Sequence, residues 1–339
     1  MGFTGTPHGI RAIALLSGGL DSTLAAALVK AAGIEVIGLT VRNMFGTGRE
    51  RARYITSAAQ AVGIPLLTLD LSEEHLDVVR HPKHGYGAGV NPCIDCRIFM
   101  LKVAKRVMEG EGAQFVVTGE VLGQRPMSQH YRALMQAAEE SGLGDLLLRP
   151  LSANLLPDTL PVKEGWIERE ELLAIQGRER KEQIALAKKF GIHDYPSPAG
   201  GCLLVEKAYA ARLRDAFSHI GKDAMKSEDF RVLRYGRHFR LSKQAKVIVG
   251  RNERENEELR KLSTGHILIE PLAVMGPVSL IEGNPSNDEL RLAAAVTARY
   301  CDHDDASPIV LRIVRGKEEE TLAIAPLSPD DPRITSWRI

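Results

Sequence analysis

Short apolar runs alternate with helical patterns over the first two thirds of the chain. Ile13 to Leu16, Val36 to Val41, Leu66 to Leu69 and Phe115 to Thr118 have the length and β-branched content of strands. Between them, Thr23 to Ala32 is an alanine-rich helical run, and Glu50 to Val62 and Ile98 to Met108 place apolar residues at helical spacing. Strands separated by helices are joined by crossovers rather than hairpins. The expected fold class is therefore α/β: a doubly wound parallel sheet, helices on both faces, and ligands at the C-terminal ends of the strands.

The pattern changes after Cys202. Glu206 to Ile220 reads as a helix, Phe230 to Leu241 as a short twisted hairpin turning near Tyr235 and Gly236, and Lys246 to Val249 as a strand. The chain thus divides into a domain over 1–205 and a second, smaller α+β domain over 206–339. A length of 339 residues, 44% of them hydrophobic and 26% charged, is enough for two cores. No apolar run reaches transmembrane length and the N-terminus lacks the layout of a signal peptide, so a cytoplasmic protein without a membrane partner is expected. Pro326 to Pro332 reads as a loose tail.

A formal net charge of +1 conceals an uneven distribution. Arg231, Arg234, Arg237, Arg240, Lys243, Lys246 and Arg251 occur with no acid from Arg231 to Arg251, and Tyr235, His238 and Phe239 interleave with them. Cations near aromatic rings suit RNA, where phosphate contacts position the ligand and rings stack on bases. A solvated basic face would give the same pattern.

The first apolar run leads into Ser17-Gly18-Gly19-Leu20-Asp21-Ser22. A strand, a glycine turn and a helix N-terminus make a phosphate cradle, because backbone N–H groups and the positive end of the helix dipole converge on one point. Gly18 and Gly19 allow close approach, and Ser17 and Ser22 offer hydroxyls. Asp21 would repel phosphate unless a cation intervened, which makes it a holder of Mg²⁺. No Gly-Lys-Ser/Thr follows, so this is not a Walker A loop, and the spacing is not that of a dinucleotide fold.

S-G-G-L-D-S resembles the PP-loop of the ATP pyrophosphatases, which split ATP between the α and β phosphates and pass AMP to a substrate oxygen. That resemblance implies that Leu39 to Val41, after the second strand, meet adenine through backbone groups, and that Thr118 and Gly119 lie at the same sheet edge. Residues 117–129, V-T-G-E-V-L-G-Q-R-P-M-S-Q, resemble a segment of the 4-thiouridine tRNA sulfurtransferases, as does Leu148-Arg149-Pro150-Leu151. Gln124, Ser128 and Gln129 suit hydrogen bonds to a nucleotide or base, and Arg125 or Arg149 suits phosphate.

Asn91-Pro92-Cys93-Ile94-Asp95-Cys96 resembles the N-P-C-x-x-C segment of 2-thiouridine tRNA thiolases, with Ala199-Gly200-Gly201-Cys202 near their second active cysteine. Three thiolates, Cys93, Cys96 and Cys202, fit a [4Fe-4S] cluster with one iron left open for sulfide. A persulfide on Cys202 resolved by Cys93 or Cys96, zinc held with His81 or His84, and buried inert cysteines are the other readings. Asp95 is a candidate to orient the base or a proton. Cys301, in Cys-Asp-His-Asp-Asp, is a candidate fourth ligand or a charged surface turn. Val249-Gly250-Arg251-Asn252 and the residues to Leu259 resemble an NFACT-R-type RNA-binding module, with a helix capped at Asn252.

The expected enzyme is an ATP-dependent tRNA thiolase using ATP, Mg²⁺ and the cluster. Its expected partners are tRNA, an external sulfur donor (sulfide or a persulfide-carrying protein) and a second copy in a homodimer. Only about ten residues precede the strand that leads into the PP-loop, so the N-terminal tRNA-binding domain of the 4-thiouridine enzymes is not expected here and the target uridine is not implied. Two alternatives stand beside this: a PP-loop ligase acting on a small molecule or carrier protein, and a non-catalytic RNA-binding protein.

Overall fold

A computed structural model describes residues 9–46, 49–197, 201–302 and 307–339. Residues 199–200 of the run before Cys202 and 303–305 of the turn after Cys301 lie outside the described residues. The chain divides into two compact units, the first ending at Leu204 and the second beginning at Val205.

The first unit runs β1 (Arg11–Leu15), α1 (Leu20–Ala31), β2 (Glu35–Arg42), α2 (Arg49–Val62), β3 (Leu66–Asp70), α3 (Glu74–Arg80), α4 (Cys93–Gly110), β4 (Phe115–Val117), α5 (Tyr131–Glu140), β5 (Leu147–Leu148), α6 (Leu160–Lys163) and α7 (Lys181–Lys189). All five strands are parallel, in the order β3-β2-β1-β4-β5. Because side chains alternate along a strand, Ala12 and Ala14 of β1 pack with Leu24 and Val29 of α1, while Ile13 joins Ile98 and Leu101 of α4 on the opposite face. Burying each such leucine contributes roughly 2 kcal/mol. This is the doubly wound sheet expected from the alternation. Strand order reverses at β1, between β2 and β4, and the loop Ser17 to Ser22 leaves β1 at that switch point.

The second unit runs α8 (Lys207–His219), α9 (Ser227–Val232), β6 (Arg237–Arg240), β7 (Ala245–Val249), α10 (Glu253–Lys261), β8 (Ile267–Pro271), β9 (Ser279–Gly283), α11 (Asn287–Ala298), β10 (Ile309–Arg315), β11 (Glu318–Ile324) and α12 (Pro332–Trp337). Its six strands form an antiparallel sheet in the order β11-β10-β8-β9-β7-β6. Ala293, Ala294 and Val296 of α11 pack with Val247 and Ile281, and Leu259 of α10 packs with Ile248 and Leu280.

Two local expectations are corrected by the second unit. The hairpin is β6 with β7, pairing Arg240 with Lys246, and not Phe230 to Leu241. The earlier residues form α9, whose start is held by Asp229 accepting from the Lys226 N–H at 2.6 Å. The tail is not loose: Leu327 N–H donates to the Ala295 carbonyl at 3.1 Å and Ile339 N–H to the His238 carbonyl at 3.1 Å. The helix cap at Asn252 is as expected, with its side chain accepting from Glu255 N–H at 3.1 Å, a contact of about 1 kcal/mol.

Candidate functional site

The nucleotide loop is built by α1 and by glycines at two contacts. Gly18 has φ +75°, and a Cβ there would lie 2.9 Å from the Ile55 nitrogen. Gly19 caps α1 without a side-chain cap, so the first-turn N–H groups of this helix are not claimed by a capping side chain. The Ser17 and Ser22 hydroxyls lie 3.1 Å apart, and Ser22 Oγ donates to the Gly19 carbonyl at 2.9 Å. Gln124 Nε2 donates to Asp21 Oδ2 at 3.1 Å, whereas Asp21 Oδ1 is buried with no hydrogen-bond partner. Burial raises the Asp21 pKa against the opposing pull of Gln124, Arg180 and Arg125. An orphaned carboxylate oxygen beside a helix N-terminus fits Mg²⁺ on a bound pyrophosphate.

Gly119 brings the end of β4 against this loop. A Cβ at Gly119 would lie 2.4 Å from the Asp21 carbonyl carbon and 2.4 Å from the Ser22 nitrogen. Both atoms are backbone and cannot swing aside. Gly119→Ala is expected to weaken ATP binding by at least about tenfold and to destabilise the first unit by about 1–3 kcal/mol, as overpacking does; calorimetric titration and urea denaturation check this.

Not every residue expected at the sheet edge is open to a ligand. Leu39 is fully buried and its carbonyl accepts from Leu16 N–H at 2.8 Å, so it is a core residue held between β1 and β3. Val41 pairs with Leu69 beyond the last β1 pairing, Leu15 with Leu39, and keeps a place at the edge. Thr118 is buried, its hydroxyl donating to Glu120 Oε2 at 3.1 Å. Arg149 is 3% exposed and ion-paired to Glu120 at 2.9 Å, which removes it as a phosphate contact; Arg125 is exposed.

Cys93 and Cys96 occupy the first turn of α4, a turn earlier than the helical pattern had suggested. Cys202 is bridged to Gly46, and Leu203 and Leu204 bond Phe45 and Val90. These bonds carry Cys202 back between the segment after β2 and the loop before α4. Burial pushes the Cys96 thiol up to about 12; the neighbouring Cys202 and Cys93 add to the rise, and Arg97 and Arg51 oppose it. Burial likewise raises Cys93, against Arg125 and Arg97. Burial thus holds Cys93 and Cys96 as thiols at neutral pH until a metal or a persulfide changes their chemistry.

Arg51 joins the two halves of the site. Its Nε donates to the Ser17 carbonyl at 3.4 Å, and its charge is felt by Cys202 and Cys96. The three cysteines thus share one corner with the nucleotide loop. Among the described residues, no three His, Cys, Asp or Glu side chains stand as a ready-made metal-ligand set. Three neighbouring thiols beside arginines fit a cluster in donor type and neighbourhood, but the structure does not show them as a closed ligand set.

The histidine that meets the cysteines is one the sequence pattern did not single out. His75 Nε2 and Cys96 Sγ are hydrogen-bonded at 3.1 Å, and burial lowers the His75 pKa to about 4, so the ring is neutral. Its ring contacts Phe45 and Phe99. No spacing signal marks it, since 21 residues separate it from Cys96. His84, proposed for zinc, instead pairs with Glu140 at 3.1 Å. Asp95, expected to orient the base or a proton, has its two oxygens accepting from Lys83 N–H and His84 N–H at 3.0 Å each, which ties the loop before α4 to the first turn of that helix.

The basic segment of the second unit is largely consumed by the fold. Lys246 is 0% exposed and ion-paired with Glu282, so it is corrected from an RNA contact to a core ion pair. Arg240 Nε donates to Asp215 at 3.0 Å, Arg251 to Glu255 at 2.9 Å, and Arg237 to the Gly250 carbonyl at 3.3 Å while stacking over Tyr300. Phe239 and His238 are buried and offer no stacking face. Arg231 and Lys243 are exposed, with Arg234 half-buried. The Gly250 to Asn256 run is also architectural, since a Cβ at Gly250 would lie 2.2 Å from Asn256 Oδ1. Cys301 is buried, and burial then Asp302 raise its pKa to about 11.

Residues 8–153 match the family described as thiamine biosynthesis protein (ThiI), and residues 236–338 match the NFACT protein RNA binding domain. The tRNA-specific 2-thiouridylase MnmA of Xanthobacter autotrophicus is 29% identical over 255 residues, 69% of this chain and 61% of that protein. The chain thus spans less than two thirds of that relative's length. A 4-thiouridine synthetase solved with RNA and ATP is 23% identical over 55% of this chain and 42% of the other, with a TM-score of 0.39. The U34-tRNA thiolase NcsA of Methanococcus maripaludis, solved with its [4Fe-4S] cluster, is 18% identical over 66% of this chain and 70% of the other, with a TM-score of 0.34. The resemblances read from the PP-loop, the cysteine segment and the Val249-Gly250-Arg251-Asn252 run are those of the matching families and relatives.

Proposed function

We infer that this chain, whose N-terminal part carries a ThiI-type PP-loop domain and whose C-terminal part carries an NFACT-type RNA-binding domain, is an ATP-dependent tRNA sulfurtransferase. The PP-loop domain is assigned to 1–205 and the RNA-binding domain to 206–339. The observation that carries the reading is Arg51, bonded to the Ser17 carbonyl and electrostatically coupled to Cys96 and Cys202. Activation and sulfur delivery need one base to meet both groups without leaving the site, and this corner supports that.

A uridine carbonyl is a poor site for substitution because oxide is a poor leaving group, and AMP is a good one. ATP would lie over Ser17, Gly18, Gly19 and Ser22, its pyrophosphate on the first-turn N–H groups of α1 and its adenine near Val41. Asp21, steadied by Gln124, would orient Mg²⁺, and Arg51 and Arg125 would balance the charge that builds up as the uridine oxygen attacks the α-phosphorus and pyrophosphate leaves. Sulfur at the cysteine corner would then attack the activated carbon and displace AMP. Cys93, Cys96 and Cys202 would hold the [4Fe-4S] cluster, which when bound supplies an open iron for the sulfide received from the external donor. Arg231 and Lys243, both exposed, would meet tRNA phosphates.

A second reading draws on the lack of a closed ligand set among the described residues. In it Cys202 carries a persulfide and Cys93 or Cys96 resolves it as a disulfide. Anaerobic purification with iron and sulfide analysis, then nucleoside mass spectrometry of tRNA from a deletion strain, tests both. The expected result is about four irons per chain and loss of one thionucleoside. An iron-free preparation that still thiolates tRNA selects the persulfide route, and tRNA with its full set of thionucleosides overturns the function.

A further inference from the structure

Around the nucleotide loop, buried polar groups without partners come from α7 as well as from α1. Asp21 Oδ1, both amide atoms of Gln183 and Nε of Arg180 are buried with no hydrogen bond. Gln183 is 0% exposed. A buried unpaired amide is a penalty that a fold rarely keeps unless something else satisfies it. Replacement by leucine at this position would relieve it without loss of volume, so packing alone does not account for glutamine.

The place of α7 explains what the amide faces. α7 packs on α1, and Gln183 in its first turn and Arg180 at its N-cap both act on the Asp21 carboxylate. Gln183 lies beside Asp21 without completing a hydrogen bond of ordinary geometry to it. The segment leading to α7 is bonded to the loop that carries Gln124, through Gly177 N–H to the Leu122 carbonyl at 2.7 Å. The partner of Asp21 Oδ2 and the neighbours of Asp21 Oδ1 are thus tied together. A buried carboxylate oxygen without a partner and a buried amide next to the same carboxylate suit a hard, hydrated divalent cation, and a guanidinium acting on that carboxylate suits phosphate.

We propose that Gln183 and Arg180 form the far wall of the nucleotide cradle. The Gln183 carbonyl oxygen joins Asp21 Oδ1 in holding the hydrated divalent cation carried by the nucleotide, and Arg180 neutralises the phosphates. The inference rests on the reading of Ser17 to Ser22 as an ATP loop, and it names binding residues absent from that reading.

The test uses the full chain with ATP and Mn²⁺ as probes. Bound Mn²⁺ is read by electron paramagnetic resonance, and ATP affinity by calorimetry with Mg²⁺ or with EDTA. Gln183→Leu is expected to need about tenfold more Mn²⁺ for half-saturation at fixed ATP, a loss typical of one hydrogen bond to a charged group. Its affinity for metal-free ATP stays within twofold of wild type, and its melting temperature without nucleotide is not lowered. Arg180→Met is expected to weaken ATP about tenfold with or without metal. A Gln183→Leu chain with wild-type metal dependence overturns the proposal, as does one that loses metal-free and metal-bound ATP equally. Should Gln183→Leu fail to fold, Gln183→Glu decides: tighter Mn²⁺ binding supports the site and unchanged Mn²⁺ binding overturns it. A wild-type chain that binds no ATP under either condition instead brings down the ATP-loop reading itself.

Discussion

Cys202→Ser is expected to lower tRNA thiolation by at least about 10³-fold while leaving ATP binding within about twofold of wild type. Serine keeps the size of the side chain but supplies neither a soft ligand for iron nor a sulfur that can carry a persulfide. The Ser17 to Ser22 loop is built by other residues, so activation survives the change. Cys96→Ser is expected to behave alike, because a hydroxyl can replace the thiol in its 3.1 Å contact with His75 and preserve the packing there. The measurement is single-turnover thiolation by nucleoside mass spectrometry alongside pyrophosphate release. Release that persists while thionucleoside disappears is the expected signature. Thiolation by Cys202→Ser at more than a tenth of the wild-type rate would refute a role for the cysteine corner in sulfur delivery.

Glu120→Gln is expected to destabilise the first unit by about 3–5 kcal/mol, the range for removing one member of a buried ion pair. Glu120 is 2% exposed between Arg97 at 3.1 Å and Arg149 at 2.9 Å, and the neutral amide would leave both guanidinium groups without a counter-charge. Because Arg97 follows Cys96, the same change loosens the helix that carries Cys93 and Cys96 against the segment after β4 that carries Gly119 and Glu120. The pH dependence follows from the same contacts. Burial raises the Glu120 pKa, but Arg97 and Arg149 together outweigh it and hold the carboxyl below its ordinary 4.5. The stabilisation is therefore complete above that value and is lost as pH falls from it through the folded-state pKa. Urea denaturation between pH 3 and 7 should show wild type losing stability in that window and Glu120→Gln losing less. Parallel curves for the two chains would mean that Glu120 contributes nothing through its charge.

Much of this protein is legible in short windows of its chain. The alternation of Ile13 to Leu16, Thr23 to Ala32 and Val36 to Val41 reflects local periodicity, and it was enough to place a parallel sheet with Ser17 to Ser22 at its edge. The same window put Asp21 inside the turn, where its Oδ1 is buried without a hydrogen-bond partner. The cap at Asn252 likewise depends only on the residues beside it.

What the windows misjudged are partnerships across long separations. The run from Arg231 to Arg251 holds no acid, yet Asp215, Glu255 and Glu282 pair with Arg240, Arg251 and Lys246 once the sheet forms. Asp95, placed between two cysteines in the chain, is held by the backbone of Lys83 and His84. His75 reaches Cys96, and Gln183 reaches Asp21, with nothing in the spacing to announce either.

Local sequence thus sufficed for the sheet and for the loop at its switch point, because propensity, periodicity and turn stereochemistry act over a few residues. Which cations are spent inside the fold, which histidine meets a thiol, and whether the cysteines share a corner with the loop were decided only by the tertiary structure. Those depend on charges and hydrogen-bonding groups that meet only after packing, where burial makes each unpaired group costly enough to select its partner.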